Sequence, residues 1–144
     1  MSGKKSVIAK KAKEWLLHAD EDLRLAKHAF KLKTSTPYKL IAYHAQQCAE
    51  KCLKAYLVFS DIDFPFTHNI SALLELFPPS VVWIKDLDAA NALSGYAITA
   101  WYPGTHKVTK RDALQAVEIA HRVRGAVRKA LKEDGLNILS YRRK

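Results

Sequence analysis

The chain of 144 residues contains only two cysteines, five glycines and five prolines, and each scarcity removes a class of protein. So little glycine and proline excludes a collagen-like or low-complexity chain. Two cysteines are too few for the disulfide framework of a small exported domain and point to reduced thiols. No apolar run reaches the length of about 18 residues that a membrane-spanning helix needs. The opening Met1-Ser2-Gly3-Lys4-Lys5 is basic, with no apolar segment and small-residue cleavage site behind it. The expected location is therefore cytoplasmic, away from any membrane. What remains is 49% hydrophobic and 26% charged, a globular composition at the size of one domain.

Acidic residues are unevenly spread. The formal net charge is +10, from 24 Lys and Arg against 14 Asp and Glu. Residues 1–13 hold five Lys and no acid, and residues 120–144 hold eight Lys or Arg and two acids. The stretch between them carries eleven bases and twelve acids, so the surplus belongs to the two ends. Basic ends suit polyanions, through phosphate neutralisation and counterion release, and they also suit a solubilising surface.

Apolar residues recur at helical spacing almost throughout. Ile8, Ala12, Trp15, Leu16, Ala19, Leu23, Ala26 and Phe30 form one stripe, with Lys13, Glu14, Asp20, Glu21 and Lys27 opposite, which predicts a long first helix. Ser35-Thr36-Pro37 reads as a cap followed by proline at the first helical position, opening a second helix that runs to about Phe59. Residues 60–67 are expected to form a loop whose Phe64 and Phe66 plug the end of the core. Asn69 is expected to cap a short helix to Phe77, which Pro78-Pro79 stops. A fourth helix is expected over roughly 81–98, weakened at Ser94-Gly95. Thr109 with Asp112 three residues on reads as a capping box, opening a fifth helix that ends before Gly135. The expected fold is all-α: an antiparallel up-down bundle of four main helices plus one short helix. It forms a single domain over residues 1–144, with its core at about 8–134 and a basic tail at 135–144.

The second helix is small or apolar around more than half its circumference. Leu40, Ile41, Ala45, Cys48, Ala49, Cys52, Leu53 and Tyr56 cannot all face one neighbour, so a second subunit is the expected cover, and the protein is expected to be a homodimer. Ala45, Cys48, Ala49 and Cys52 are the expected dimer interface, because small side chains permit close helix approach. His44, Cys48 and Cys52 share one face at i, i+4, i+8, a spacing at which three soft ligands can meet zinc. With no fourth ligand nearby in sequence, the thiols are expected to serve as packing groups, and neither metal nor cofactor is expected. Gln46, Gln47, Glu50, Lys51 and Lys54 take the remaining face as a polar rim, where Glu50 and Lys54 can pair at i, i+4.

The loop from Trp101 to Arg111 is the expected phosphate site. Lys107, Lys110 and Arg111 stand at a helix N-terminus, where free amides and the dipole attract anions. Trp101, Tyr102 and His106 can stack on a base. His44, Lys51 and Lys54 are a second candidate group, beside the expected dimer cleft. His121, Arg124, Arg128 and Lys132 form a basic stripe along the last helix, expected to face solvent.

The stretch Tyr43-His44-Ala45-Gln46-Gln47-Cys48-Ala49-Glu50-Lys51-Cys52-Leu53-Lys54-Ala55-Tyr56-Leu57 resembles the second-helix signature of the HEPN family (higher eukaryotes and prokaryotes nucleotide-binding domain). Other landmarks follow in order. Trp15-Leu16 with Ala19, Asp22 and Leu23 resembles that family's opening helix, and Thr67-His68-Asn69-Ile70 with Leu73-Leu74 its short third helix. Leu93, Tyr96 and Tyr102-Pro103 resemble the approach to the last helix, and Asp112-Ala113 with Ala116 its start. The resemblance implies a homodimeric helical bundle, often encoded beside a minimal nucleotidyltransferase in a toxin–antitoxin-like pair. Ribonuclease members carry Arg-x4–6-His, and this chain does not: from Arg24 the histidine comes too early, at His28, and from Arg111 too late, at His121. Trp101 stands where many relatives have the Arg before Tyr-Pro.

The function expected is therefore a non-catalytic subunit that binds nucleotide or RNA phosphate, homodimeric and partnered by a minimal nucleotidyltransferase. One alternative is a metal-independent ribonuclease toxin whose non-standard site uses His44 or His106 with Lys51 or Arg111. The other is a purely structural helical dimer.

Overall fold

A computed structural model describes residues 2–99 and 107–138, and every regular element among them is helical. The elements are α1 (Ser2–Ala29), α2 (Tyr38–Phe59), α3 (Ile70–Leu74), a 3₁₀ helix (Val82–Leu93), α4 (Tyr96–Thr99) and α5 (Lys110–Glu133). No helix among the described residues is long and apolar enough to cross a membrane.

The chain runs up and down as expected. Lys4 near the start of α1 meets Asp61 just past the end of α2 at 3.2 Å, so these two helices are antiparallel. The Tyr56 hydroxyl donates to Asp134 at 3.5 Å, pairing the last turns of α2 and α5, which run parallel. Arg124 of α5 reaches Asp20 of α1 at 2.6 Å, across 104 residues of sequence. The 3₁₀ helix and α4 together form the return limb, making the fourth member of the bundle. The buried stripe of α1, Ala12, Leu16, Ala19, Leu23 and Ala26, packs with the cores of α2 and α5 in one apolar cluster.

Local chemistry explains the ends of the elements. The Thr109–Asp112 capping box forms, with each side chain bonded to the other's backbone amide at 3.1 and 3.0 Å. Asn69 caps α3 by accepting from the Ala72 amide at 3.4 Å. At the end of α5, the Leu136 amide returns to the Leu131 carbonyl and the Gly135 amide to that of Lys132. Those two bonds make a Schellman cap with Gly135 at φ 102°. Leu136 and Ile138 are buried beyond it, so the core extends into residues read from sequence as a basic tail.

Four expectations need correction. The segment 81–98 is not one α-helix but a twelve-residue 3₁₀ helix, a turn, and the short α4. Its buried residues Leu87, Ala90 and Leu93 recur at a constant interval of three, and only a helix of three residues per turn keeps them in line. Asp86, Asp88 and Asn91 lower α propensity there by competing for backbone bonds. Second, α2 starts at Tyr38 with Pro37 in the cap position and no side-chain cap. The hydroxyl of Thr36 turns back instead to the Leu32 carbonyl at 3.3 Å. Third, α1 starts at Ser2, ahead of the apolar stripe, and its first turns project lysines into solvent. Fourth, Phe64 packs edge-on to Trp15 at 6.2 Å, but Phe66 is 93% exposed and plugs nothing.

Candidate functional site

α2 lies at the centre of the bundle, with α1 against one side and α5 against the other. That position accounts for its broad apolar circumference without a second subunit. Ala45, Cys48, Ala49 and Cys52, expected to form a dimer interface, are each 0% exposed within the single protomer. They have no surface to offer a partner, and the small side chains serve close packing inside the fold.

The expected polar rim is likewise interior. Gln46, Gln47, Glu50 and Lys54 are all buried, and their polar atoms satisfy one another. Lys54 Nζ sits 2.8 Å from Glu50 Oε2, the anticipated i, i+4 pair. Gln46 donates to Glu50 Oε1 at 3.0 Å and, from the same nitrogen, to the His68 carbonyl at 3.0 Å. Gln47 donates to Gln46 Oε1 at 2.7 Å and to Glu50 Oε1 at 3.3 Å. His68 Nδ1 donates to the same carboxylate at 3.0 Å, which leaves Nε2 turned away from it. Lys54 also lies over the Trp15 and Phe64 rings, at 5.4 and 5.6 Å. Its charge is spent on Glu50 and two aromatic faces, so the proposed phosphate contact at Lys54 has no free cation behind it.

Asp22 of α1 organises a second group. It accepts from Lys51 at 2.6 Å and from His44 Nδ1 at 2.9 Å, holding both against α1. Burial, with Asp22 adding to it, pushes the neighbouring Tyr43 phenol above its ordinary value. Lys51 also borders a groove of about 380 Å³ with Lys11, Glu14, Trp15 and His18. Two residues earlier on α1, Asp20 holds Arg124 at 2.6 Å and Arg128 at 3.5 Å. The bond to Asp20 raises the Arg124 pKa further. Two members of the expected solvent-facing stripe on α5 are therefore tied to α1. Sequence spacing gives no sign of these forks, since each joins residues 22 to 108 positions apart. The only signal was a carboxylate at Asp22 in the family-like opening helix.

Lys107, Lys110 and Arg111 stand exposed where α5 begins, as expected. The Thr109 bonds pull the Asp112 carboxyl below its usual range, keeping it anionic inside the cap. Trp101, Tyr102 and His106 lie outside the described residues. His121 is exposed on α5, and partial burial with Lys27 nearby lowers its pKa. The Cys48 thiol is pushed well above its ordinary value, first by its hydrogen bond with Cys52 and then by burial. Among the described residues no group of three or more His, Cys, Asp and Glu is arranged to hold a metal.

An all-α up-down bundle whose second helix buries a Gln-Gln-x-x-Glu-x-x-x-Lys network defines the structural class. The HEPN domain profile matches residues 12–130, and the chain belongs to that family. TT1696 from Thermus thermophilus is similar in fold, with a TM-score of 0.72 and 29% identity over 83% of this chain and 97% of that one. ST0689, described as an archaeal HEPN homologue, gives a TM-score of 0.63 and 27% identity over the same shares. No curated protein matches the chain.

Proposed function

We propose that the protein is a non-catalytic HEPN subunit that binds nucleotide or RNA phosphate, acts as a homodimer, and partners a minimal nucleotidyltransferase in a toxin–antitoxin-like pair. The observation that carries the binding role is the trio Lys107, Lys110 and Arg111, exposed at the capped start of α5. There the helix dipole adds to three side-chain charges. The absent Arg-x4–6-His motif supports binding without cleavage. So does the engagement of His44 and Lys51 by Asp22, which leaves neither as a free group for a substrate phosphate. The dimer in this reading rests on exposed apolar residues, Ile98 on α4 and Leu114 on α5, rather than on α2. The nucleotidyltransferase partner rests on the family resemblance.

Binding of labelled RNA and of mononucleotides across a range of salt tests the reading. Contact with three phosphates predicts a log–log salt slope near −2 to −3, roughly. Lys110→Ala with Arg111→Ala is expected to weaken binding and flatten that slope, with no RNA cleaved on a gel. Cleavage that disappears in His44→Ala would establish the ribonuclease alternative. Light scattering at micromolar concentration is expected to give twice the 16.3 kDa chain mass, and co-purification with the product of an adjacent nucleotidyltransferase gene tests the partner.

A further inference from the structure

The groove of about 380 Å³ between α1 and α2 takes no part in the proposed phosphate site. Lys11, Glu14, Trp15 and His18 line one wall, and Lys51 of α2 closes the other. The four residues of α1 fall at i, i+3, i+4 and i+7, which puts them on one face of the helix. Lys51 is fixed in place by its 2.6 Å bond to Asp22. The volume is at the small end of the range for ligand sites, about 300–1,000 Å³, and suits a single ring with a short polar chain.

Trp15 gives the groove its apolar surface. It is half-buried against the core cluster. Buried Lys54 lies over its ring at 5.4 Å, and Phe64 packs edge-on with ring centroids 6.2 Å apart. The ring is thus held from the interior, and a cation already draws on its π-electrons. A second cation gains little by stacking there, whereas a neutral ring keeps its full packing gain. The wall beside the ring is charged. Lys11 and Glu14 are exposed, opposite in sign and three residues apart, with Cβ atoms about 5–6 Å from each other. Among the described residues neither is ion-paired, with the other or with any third group. An unpaired ammonium and an unpaired carboxylate next to one aromatic surface complement a molecule that carries a carboxylate, an ammonium and a ring.

We infer that this groove binds a free α-amino acid with an aromatic side chain. The ligand's ring stacks on Trp15, its α-carboxylate meets Lys11 and its α-ammonium meets Glu14. A zwitterion satisfies both wall charges at once. An aromatic acid would set its carboxylate beside an unanswered Glu14, and an aromatic amine would set its ammonium beside an unanswered Lys11. Because Lys51 is already engaged by Asp22, it shapes the groove without adding a third free charge. The site shares no residue with Lys107, Lys110 and Arg111, so it stands or falls independently of the phosphate-binding reading.

The test titrates full-length protein, labelled with ¹⁵N at the tryptophan indoles, with L-phenylalanine and follows the indole resonances by NMR. Saturable displacement of the Trp15 resonance, with that of Trp83 unmoved, is expected. Glycine, which brings the same charges without a ring, should bind at least about tenfold more weakly. Two further probes separate the charges: 3-phenylpropionate lacks the ammonium and phenethylamine lacks the carboxylate. Lys11→Ala is expected to weaken L-phenylalanine and 3-phenylpropionate by roughly 1.5- to 5-fold, the worth of an exposed ion pair, and to spare phenethylamine. Glu14→Gln should weaken L-phenylalanine and phenethylamine by a similar factor and spare 3-phenylpropionate. Both side chains are exposed, so these variants keep the fold, which circular dichroism checks. Trp15→Ala should abolish binding of every ring compound. No displacement of Trp15 up to the solubility limit of L-phenylalanine overturns the inference, and so does binding indifferent to both charge variants. Dependence on Lys11 without dependence on Glu14 assigns the groove to aromatic anions instead and equally defeats it.

Discussion

Glu50 and Lys54 form an ion pair of 2.8 Å with only 2% and 4% of the two residues exposed. Every remaining bond on the carboxylate comes from a neighbour on α2 or from His68. Removing one partner of such a pair leaves the other charge buried and alone, which costs about 3–5 kcal/mol. Glu50→Ala is therefore expected to lower unfolding stability by about that amount in urea titrations. Joint replacement by Leu and Met should recover most of it. A Glu50→Ala protein as stable as wild type would show that water reaches Lys54.

Ala49→Arg is expected to unfold the protomer. Ala49 is enclosed between helices of its own chain, so the added guanidinium has neither solvent nor a counter-ion. Circular dichroism should show the loss of cooperative melting. A folded monomer on light scattering would instead return Ala49 to a subunit interface.

The two thiols should behave as inert packing groups. In native protein at pH 8, iodoacetamide should leave Cys48 unmodified, because its hydrogen bond to Cys52 and its burial keep the thiol protonated. Its raised folded pKa contributes stability that is intact below the unfolded thiol's value, about 8.5, and is lost as pH rises from there toward the folded value. Cys48→Ala removes that alkaline decline. Cys48→Ala with Cys52→Ala costs roughly 1–3 kcal/mol in lost volume and leaves any metal content unchanged. Stoichiometric zinc that the double variant loses would refute the packing role.

His121 sets a smaller dependence with the opposite sign. Burial first, then Lys27 and Arg124, depress its folded pKa. Its contribution is therefore intact above the unfolded value, about 6.5, and is lost as pH falls through the lower folded value. His121→Gln should gain thermal stability relative to wild type as pH is lowered from 7 to 5. A constant difference in Tm across that range would contradict it.

How much of this was legible depended on the range of the interaction. The α1 stripe, the Thr109–Asp112 box, the Asn69 cap and the Glu50–Lys54 pair all join residues within a turn or two of each other, and periodicity reveals them. The same periodicity could not say what would surround α2. A helix flanked on both sides within one chain and a helix shared by two chains carry the same residues. That ambiguity placed Ala45 and Ala49 at an interface and Gln46 and Lys54 on a rim. The forks at Asp20 and Asp22 depend on the level at which α1 meets α2 and α5, which no local pattern encodes. In the return limb, the interval of three at Leu87, Ala90 and Leu93 was present in the sequence, but a reading tuned to 3.6 residues per turn passes over it.

That return limb has a consequence for how the molecule opens. Twelve residues of 3₁₀ helix rise about 24 Å, where an α-helix of the same length would rise about 18 Å, so each residue of this limb spans more of the bundle's height. The extra reach comes from hydrogen bonds of poorer geometry, in a limb whose Val82 is exposed and whose inward contacts are concentrated at one residue in three. Its amides should be among the first to exchange with solvent, well ahead of those of α2. Its release would uncover Tyr56, which now stacks on Phe77 and meets the edge of Trp83, while the contacts between α1 and α2 stay closed.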